Sequence, residues 1–166
     1  MALTMLTLNV NGLCDSAKLA GILRRLRALP SVLDVVCLQE THCTSLDKGQ
    51  AWFLSSSFES SVSPGTAKSA GYIALFRPPL YFETFWTASD GRFLRLNFSF
   101  RGVRFRVACS YAPNRNPERD LFLTYVTDNL DPGTPIVLAG DFNTVINGSL
   151  DRWVSVVVDL EHCSSR

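Results

Sequence analysis

Residues 3–13 have the sequence Leu-Thr-Met-Leu-Thr-Leu-Asn-Val-Asn-Gly-Leu, and this stretch decides the fold class. A β-prone apolar run that ends at the turn pair Asn11-Gly12 predicts a buried strand leading into a loop. Such a strand brings Asn9 and Asn11 to its C-terminal end. Two amide side chains are therefore expected at a strand end.

The next thirty residues complete a strand–helix–strand unit. Between Asp15 and Leu29 the apolar residues follow helical spacing, and Pro30 cannot continue a helix. Val32 to Gln39 is a second continuous apolar run, so Glu40 follows directly on a predicted strand. This order predicts α/β layers. The apolar helix positions are Leu19, Ile22, Leu23, Leu26 and Leu29.

The middle of the chain is predicted to be rich in strands. A short helix is expected in Leu46–Phe53, and a strand edge followed by a loop in Ser55–Lys68. Four strand candidates separated by turn signals then predict an antiparallel meander. They are Gly71–Phe76, Tyr81–Trp86, Phe93–Phe100 and Val103–Tyr111.

A second helix and another buried strand follow the meander. Asn116-Pro117 predicts the N-cap and first turn of the helix, and residues 131–133, Asp-Pro-Gly, predict its end. The strand Thr134–Ala139 then leads into residues 140–143, Gly-Asp-Phe-Asn. The apolar face of the helix is expected to consist of Leu121, Phe122, Tyr125, Val126 and Leu130.

Composition favours one compact domain that remains inside the cell. The chain has 166 residues, 46% of them hydrophobic, and a net charge of +1, which excludes a strongly basic arm or an acidic disordered tail. Its five cysteines are scattered without a CxxC pair, as expected for reduced thiols. We find neither a basic leader segment nor an apolar run approaching the ~18 residues of a membrane span.

Three apolar strands end in short polar clusters, and ligand sites of layered α/β folds gather at strand ends. The clusters are residues 9–11, 39–41 and 141–143. Carboxylate and amide oxygens suit Mg²⁺ or Mn²⁺, with Glu40 as the principal ligand. Asp141, Asn143, Asn9 and Tyr111 are residue types that hydrolysis of a phosphodiester requires. Each alone is more often a turn residue or a solvated side chain.

The order of four motifs makes the signal specific. The chain resembles the endonuclease/exonuclease/phosphatase superfamily through LNVNGL at 8–13, LQETH at 38–42, SYAPN at 110–114 and AGDFN at 139–143. Within it, the sequence is most similar to the endonuclease domains of non-LTR (LINE-type) retrotransposons. That likeness comes from SAGYIALF at 69–76, from the YAPN form, and from GDFNT followed by LDRW at 150–153.

The resemblance assigns a role to each candidate residue. Glu40 takes the place of the metal-binding glutamate, and Asn11 stands where apurinic endonucleases commonly carry an aspartate near the metal. Asn9 would hydrogen-bond the active-site network, and Asp141 would orient or deprotonate the attacking water. The residues expected to contact the scissile phosphate or stabilise its charge are Asn143, Asn114 and Tyr111, while Arg152 would touch DNA.

The C-terminal part departs from the family pattern, whose members end in a Ser-Asp-His motif. His162 lies in LEHCSS without that arrangement. We therefore expect a four-layered α/β sandwich of DNase-I-like type missing its C-terminal strands, with an incomplete domain in residues 1–153 and an atypical tail in 154–166. Activity is expected to be impaired, because general acid–base groups contribute about 10²–10⁴-fold.

The resemblance implies Mg²⁺- or Mn²⁺-assisted hydrolysis of DNA that nicks one strand. Two alternatives stay open, a phosphatase of the same superfamily and a catalytically inactive fragment of a mobile-element endonuclease. DNA is the expected partner, with no membrane and no obligate protein partner. A nuclear location follows from the DNA substrate alone. The arginines of Phe93–Tyr111 and of its flanks fit either a phosphate-facing surface or an ordinary solvated sheet face.

Overall fold

The computed structural model describes residues 2–28, 33–54, 57–78, 80–88, 90–130, 133–144 and 155–159. These residues form the strands β1 (Ala2–Asn9), β2 (Val35–Gln39), β3 (Glu59–Ser63), β4 (Tyr72–Phe76), β5 (Tyr81–Thr87), β6 (Phe93–Phe100), β7 (Val103–Tyr111), β8 (Ile136–Asp141) and β9 (Ser155–Asp159). Their helices are α1 (Ser16–Ala28), α2 (Leu46–Ala51) and α3 (Asn116–Asp128).

The strands make two sheets, here called the β1 sheet and the β7 sheet. The β1 sheet has the order β3-β4-β2-β1-β9, and the β7 sheet has the order β5-β6-β7-β8. Strands β1 and β2 are parallel and end together at the pair Asn9 and Gln39, which confirms the predicted strand–helix–strand unit. Strands β7 and β8 are also parallel and end together at the pair Tyr111 and Asp141.

Three apolar cores separate four layers. The inner faces of the two sheets pack on each other, with Val35 and Cys37 from one sheet and Phe98 and Val107 from the other among the fully buried residues. Helix α1 buries Ile22 and Leu26 on the outer face of the β1 sheet, together with Phe53 just after α2. Helix α3 covers the outer face of the β7 sheet. The predicted four-layered α/β sandwich is confirmed.

The predicted four-stranded meander is wrong for its first member. Strand β4 pairs with β2 and β3 in the β1 sheet, and only β5, β6 and β7 form a meander. All five residues of β4 are buried, as expected for an interior strand covered on both faces. An outer meander strand has a different pattern, and β5 is largely exposed.

The N-terminus and the apolar face of α3 also differ from the prediction. Arg115 is the N-cap with extended backbone and no side-chain capping bond, so Asn116 lies inside the first turn. The buried residues Phe122 and Val126 define the face that meets the sheet. Leu121 points away from that face and is 74% exposed, because neighbouring helix positions are about 100° apart.

Several predicted features lie outside the described residues, namely Leu29, Pro30, Val32, the pair Asp131-Pro132, Arg152 and His162. Within residues 154–166, Ser155–Asp159 pairs antiparallel with β1. The division of the chain at residue 153 stays a prediction. Of the helices described, none is long and apolar enough to cross a membrane.

Candidate active site

The ends of three strands from both sheets converge on one side chain, that of Asn9. Its Nδ2 donates to Glu40 Oε1 at 2.8 Å and to Asp141 Oδ2 at 3.2 Å. Glu40 follows β2 in the β1 sheet, whereas Asp141 ends β8 in the β7 sheet. A single amide group therefore joins two carboxylates that belong to different layers. The structure brings together the three residues that the strand-end argument placed in one site.

The loop that carries Glu40 has a strained backbone held from both sides. Glu40 and His42 have φ values of +50° and +55°, a region that side-chain-bearing residues seldom adopt. The N–H of Gly12 donates to the Glu40 carbonyl at 2.6 Å, and the N–H groups of Thr41 and His42 donate to the carbonyls of residues 71 and 70, each at 3.1 Å. Such strain persists only where surrounding bonds over-determine it.

The pKa of Glu40 and the pKa of Tyr111 are shifted in opposite directions. Burial alone would raise the pKa of Glu40, but hydrogen bonds from Tyr111 and Asn9, with His42 nearby, hold that pKa below its ordinary value. Two effects raise the pKa of Tyr111 to about 12. Burial is the larger effect, and the hydrogen bond to the Glu40 carboxylate is the second. At neutral pH the site thus holds an ionised glutamate beside a neutral hydroxyl donor.

His42 is a site residue that the sequence argument did not place there. Its Nε2 lies 3.7 Å from Glu40 Oε2, on the side of the carboxylate that Asn9 does not occupy. The same nitrogen is buried and has no hydrogen-bond partner among the described residues. The ring packs on Gly12, where an added Cβ would lie 3.0 Å from Nδ1. Its place two residues after Glu40, at the end of the LQETH motif, was the signal in the sequence.

Asp141 is held by the loop that follows it. The N–H of Asn143 donates to Asp141 Oδ1 at 3.0 Å, and the N–H of Ala112 donates to the Asp141 carbonyl at 2.8 Å. The Asn143 side chain donates through Nδ2 to the Ala112 carbonyl, and the Asn143 carbonyl accepts from Arg119 at 2.7 Å. Asn143 therefore uses part of its amide to tie two loops together. Its predicted contact with a scissile phosphate stays a prediction.

Two further predicted residues, Asn11 and Asn114, are exposed. Asn11 is exposed with φ +44°; its N–H donates to Asn9 Oδ1 at 3.0 Å, and its carbonyl accepts from Lys18 Nζ at 2.7 Å. Asn114 is exposed in the segment between β7 and α3. The structure thus places Asn11 next to the carboxylate pair, whereas Arg152 lies outside the described residues.

Arginines of the β7 sheet divide into two groups. Arg92 lies at the site, with its guanidinium carbon 5.0 Å from the centre of the Tyr111 ring. Arg95, Arg104 and Arg106 contact protein atoms away from the carboxylates, namely the Asn129 carbonyl at 2.7 Å, Glu83 at 3.2 Å and Asn97 at 3.1 Å. These contacts favour an ordinary sheet face for the second group.

The donor types at the site fit a hard divalent cation. The described residues contain no group of three or more His, Cys, Asp or Glu that would hold a metal by themselves. Mg²⁺ and Mn²⁺ do not require one, since they commonly take one or two protein carboxylates and fill the other positions with water and substrate phosphate. Glu40, with its lowered pKa, supplies such a carboxylate.

Fold and site together define a four-layered α/β sandwich with an acidic and amide-lined site where its strands end. The chain belongs to the Endonuclease/Exonuclease/phosphatase family, whose sequence profile matches residues 6–155. The superfamily inferred from the four motifs is thereby confirmed, and the special likeness to retrotransposon endonucleases stays a prediction. A comparison with curated protein sequences finds no significant match.

Solved structures share the fold at low sequence identity. An AP endonuclease from Archaeoglobus fulgidus superposes with a TM-score of 0.68 at 18% identity, covering 88% of this chain and 59% of that one. The Xenopus laevis APE2 catalytic domain superposes with a TM-score of 0.62 at 17% identity, covering 86% of this chain and 59% of that one. D. rerio TDP2 complexed with a single-strand DNA product superposes with a TM-score of 0.65 at 21% identity, covering 86% of this chain and 61% of that one. This chain spans about half to two thirds of the structures it matches.

Proposed function

We propose that the chain is a Mg²⁺- or Mn²⁺-dependent phosphodiesterase that hydrolyses DNA, of the retrotransposon nicking-endonuclease type. The observation that carries this proposal is the pair of carboxylates, Glu40 and Asp141, joined by the amide of Asn9. Hydrolysis of a phosphodiester needs a held cation, a group that orients water and neutral donors for the developing charge. Each requirement has a residue of suitable chemistry within this cluster.

The geometry of the side chains supports a proposed role for each residue. Glu40, with Asn11 beside it, would hold the cation, which when bound neutralises charge on the phosphate. Asp141 would accept a hydrogen bond from the attacking water and take its proton, since both of its oxygens are already oriented by Asn9 and by the Asn143 N–H. Tyr111 would act as a neutral donor, because its raised pKa keeps the hydroxyl protonated.

DNA is supported as the substrate by the surroundings of the carboxylates and by the neighbouring folds. Lys18 and Arg92 lie around the acidic pair and would attract a polyanion. An AP endonuclease and a TDP2 that was crystallised with a single-strand DNA product share the fold. The motifs SAGYIALF, YAPN and GDFNT favour the retrotransposon type. A nuclear location is proposed from this substrate alone.

The test is nicking of supercoiled plasmid with Mg²⁺ by the parent chain and by Glu40→Gln, Asp141→Asn and Asp120→Asn. Asp120→Asn is the matched control, since Asp120 is an exposed acid on α3 outside the site. We expect nicking by the parent and the control, a loss of about 10²–10⁴-fold in Asp141→Asn, and loss in Glu40→Gln and with a chelator.

Three results would contradict the proposal. Equal nicking by all four proteins would indicate a contaminating nuclease. No nicking by the parent would favour a catalytically inactive relative. Hydrolysis of a small phosphate monoester without nicking would favour a phosphatase.

A further inference from the structure

Arg119 occupies an electrostatically unfavourable place. Helix α3 begins at Asn116, so Arg119 is its fourth residue and lies next to the unpaired backbone N–H groups of the first turn, which carry partial positive charge. Acidic residues are favoured at such a position and basic residues are disfavoured. A basic residue that violates a local preference is expected to have a compensating role elsewhere.

The contacts of Arg119 identify that role. Its Nη1 donates to the Asn143 carbonyl at 2.7 Å, and its Nη2 donates to Asn116 Oδ1. The planar guanidinium holds its donors in a fixed fork. The two hydrogen bonds of this fork tie the start of α3 to the loop that follows β8. The Arg119 side chain is half-buried between them.

The bond to Asn143 continues to the carboxylate. Asn143 has φ +48°, and in this conformation its N–H points at Asp141 Oδ1, 3.0 Å away. Asp141 Oδ2 accepts from Asn9 on the other side at 3.2 Å. Each oxygen of Asp141 therefore has a donor, and one of those donors depends on how the loop at Asn143 is held.

We propose that Arg119 is a positioning residue for Asp141. It fixes the left-handed conformation of Asn143, and thereby the N–H that orients the Asp141 carboxylate, without touching the substrate. The expected effect of Arg119 on catalysis rests on the proposed function. The positioning itself is independent of activity and can be measured separately.

The experiment compares the full chain with Arg119→Ala, Arg119→Lys and the control Arg24→Ala, which alters an exposed arginine of α1. Arg119→Ala should lower kcat for plasmid nicking by about 10²-fold with KM nearly unchanged, because small displacements of a catalytic group have costs of this size. Arg119→Lys retains the stem and one donor and should lie between Arg119→Ala and the parent. Circular dichroism and the thermal midpoint establish that each variant is folded.

Hydrogen exchange supplies the readout that does not depend on activity. The Asn143 N–H should lose protection in Arg119→Ala and keep it in Arg24→Ala. Unchanged protection would overturn the proposal, and so would an unchanged kcat. A raised KM with the parent kcat would also overturn it, because Arg119 would then bind substrate directly. If the parent does not nick at all, the proposed function fails, and the exchange result alone decides whether Arg119 positions Asp141.

Discussion

At the residue scale, Asn9 uses nearly all of its hydrogen-bonding capacity within the site. Its two amide hydrogens serve the two carboxylates, and its Oδ1 accepts the N–H of Asn11. An aspartate at this position would replace the shared donor by a third negative charge. Leucine or alanine would leave both carboxylates without that donor. The amide is therefore the chemical form that allows Glu40 and Asp141 to lie side by side.

Tyr111 offers a direct test of this electrostatic arrangement. Its pKa is raised to about 12 from the ordinary 10.0 by burial and by the Glu40 carboxylate. The neutral hydroxyl therefore contributes to the stability of the folded chain. This contribution is complete below pH 10 and is lost as the pH rises towards 12. Removing the carboxylate in Glu40→Gln should lower the pKa of Tyr111 towards 10.

The measurement is the tyrosinate absorbance of each protein minus that of its Tyr111→Phe counterpart, taken as the pH rises. Circular dichroism at each pH shows whether the chain is still folded. A Tyr111 that titrates at its ordinary value in the folded parent would rule out the hydrogen bond to Glu40.

The sequence predicted which residues lie together where their positions along the chain were informative enough. Asn9, Glu40 and Asp141 each follow a recognisable apolar strand, so strand ends alone indicated their shared site. Arg119 was not predicted, because its partner Asn143 lies beyond an entire helix and strand. His42 was not predicted because its role depends on the positive φ of the loop, which the residue type does not reveal.

At the element scale, strand β8 is positioned by one glycine. Gly140 pairs with Ser110 of β7 and has φ +146°. An added Cβ would lie 1.8 Å from the Ser110 carbonyl oxygen, far inside any allowed contact. The two strands can pair up to Asp141 only because residue 140 has no side chain.

We expect Gly140→Ala to destabilise the fold by about 3 kcal/mol or more, since backbone strain and a steric clash add. Gly102→Ala is the matched control: Gly102 has φ +83° with open space around it, and backbone strain alone costs about 1–2 kcal/mol. Urea unfolding of both variants measures the difference. Equal losses would show that β8 can move away from β7 without cost.

Most elements were predictable from periodicity and turn residues, and β4 shows where that information ends. Its position and length were predicted correctly, but its sheet was not. A run of buried apolar residues says that a strand is covered on both faces and does not say by which neighbours. The choice between hairpin pairing with β5 and pairing with β2 depends on the whole sandwich.

At the scale of the whole molecule, the core between the two sheets decides whether a site exists. Phe98 is fully buried and contacts Phe76 of the β1 sheet and Phe105 of the β7 sheet, with ring centres 5.2 and 5.7 Å away. Phe98→Ala should therefore cost about 3–5 kcal/mol. Because the carboxylates come from different sheets, separation of the sheets would also separate Glu40 from Asp141.

The test is urea unfolding of Phe98→Ala beside Leu54→Ala, whose side chain is 81% exposed and should contribute little. Circular dichroism and tryptophan fluorescence should report one coincident transition in both proteins. Two separate transitions would mean that the sheets fold independently, contrary to a shared inner core.

The bond between Asn9 and Asp141 has a consequence for biosynthesis, because the two residues are 132 positions apart. At the usual pace of translation, the ribosome makes the second of them on the order of ten seconds after the first. During that interval Glu40 has emerged without its partner across the sandwich. The pair of carboxylates therefore cannot assemble in a newly made chain until residue 141 has left the ribosome.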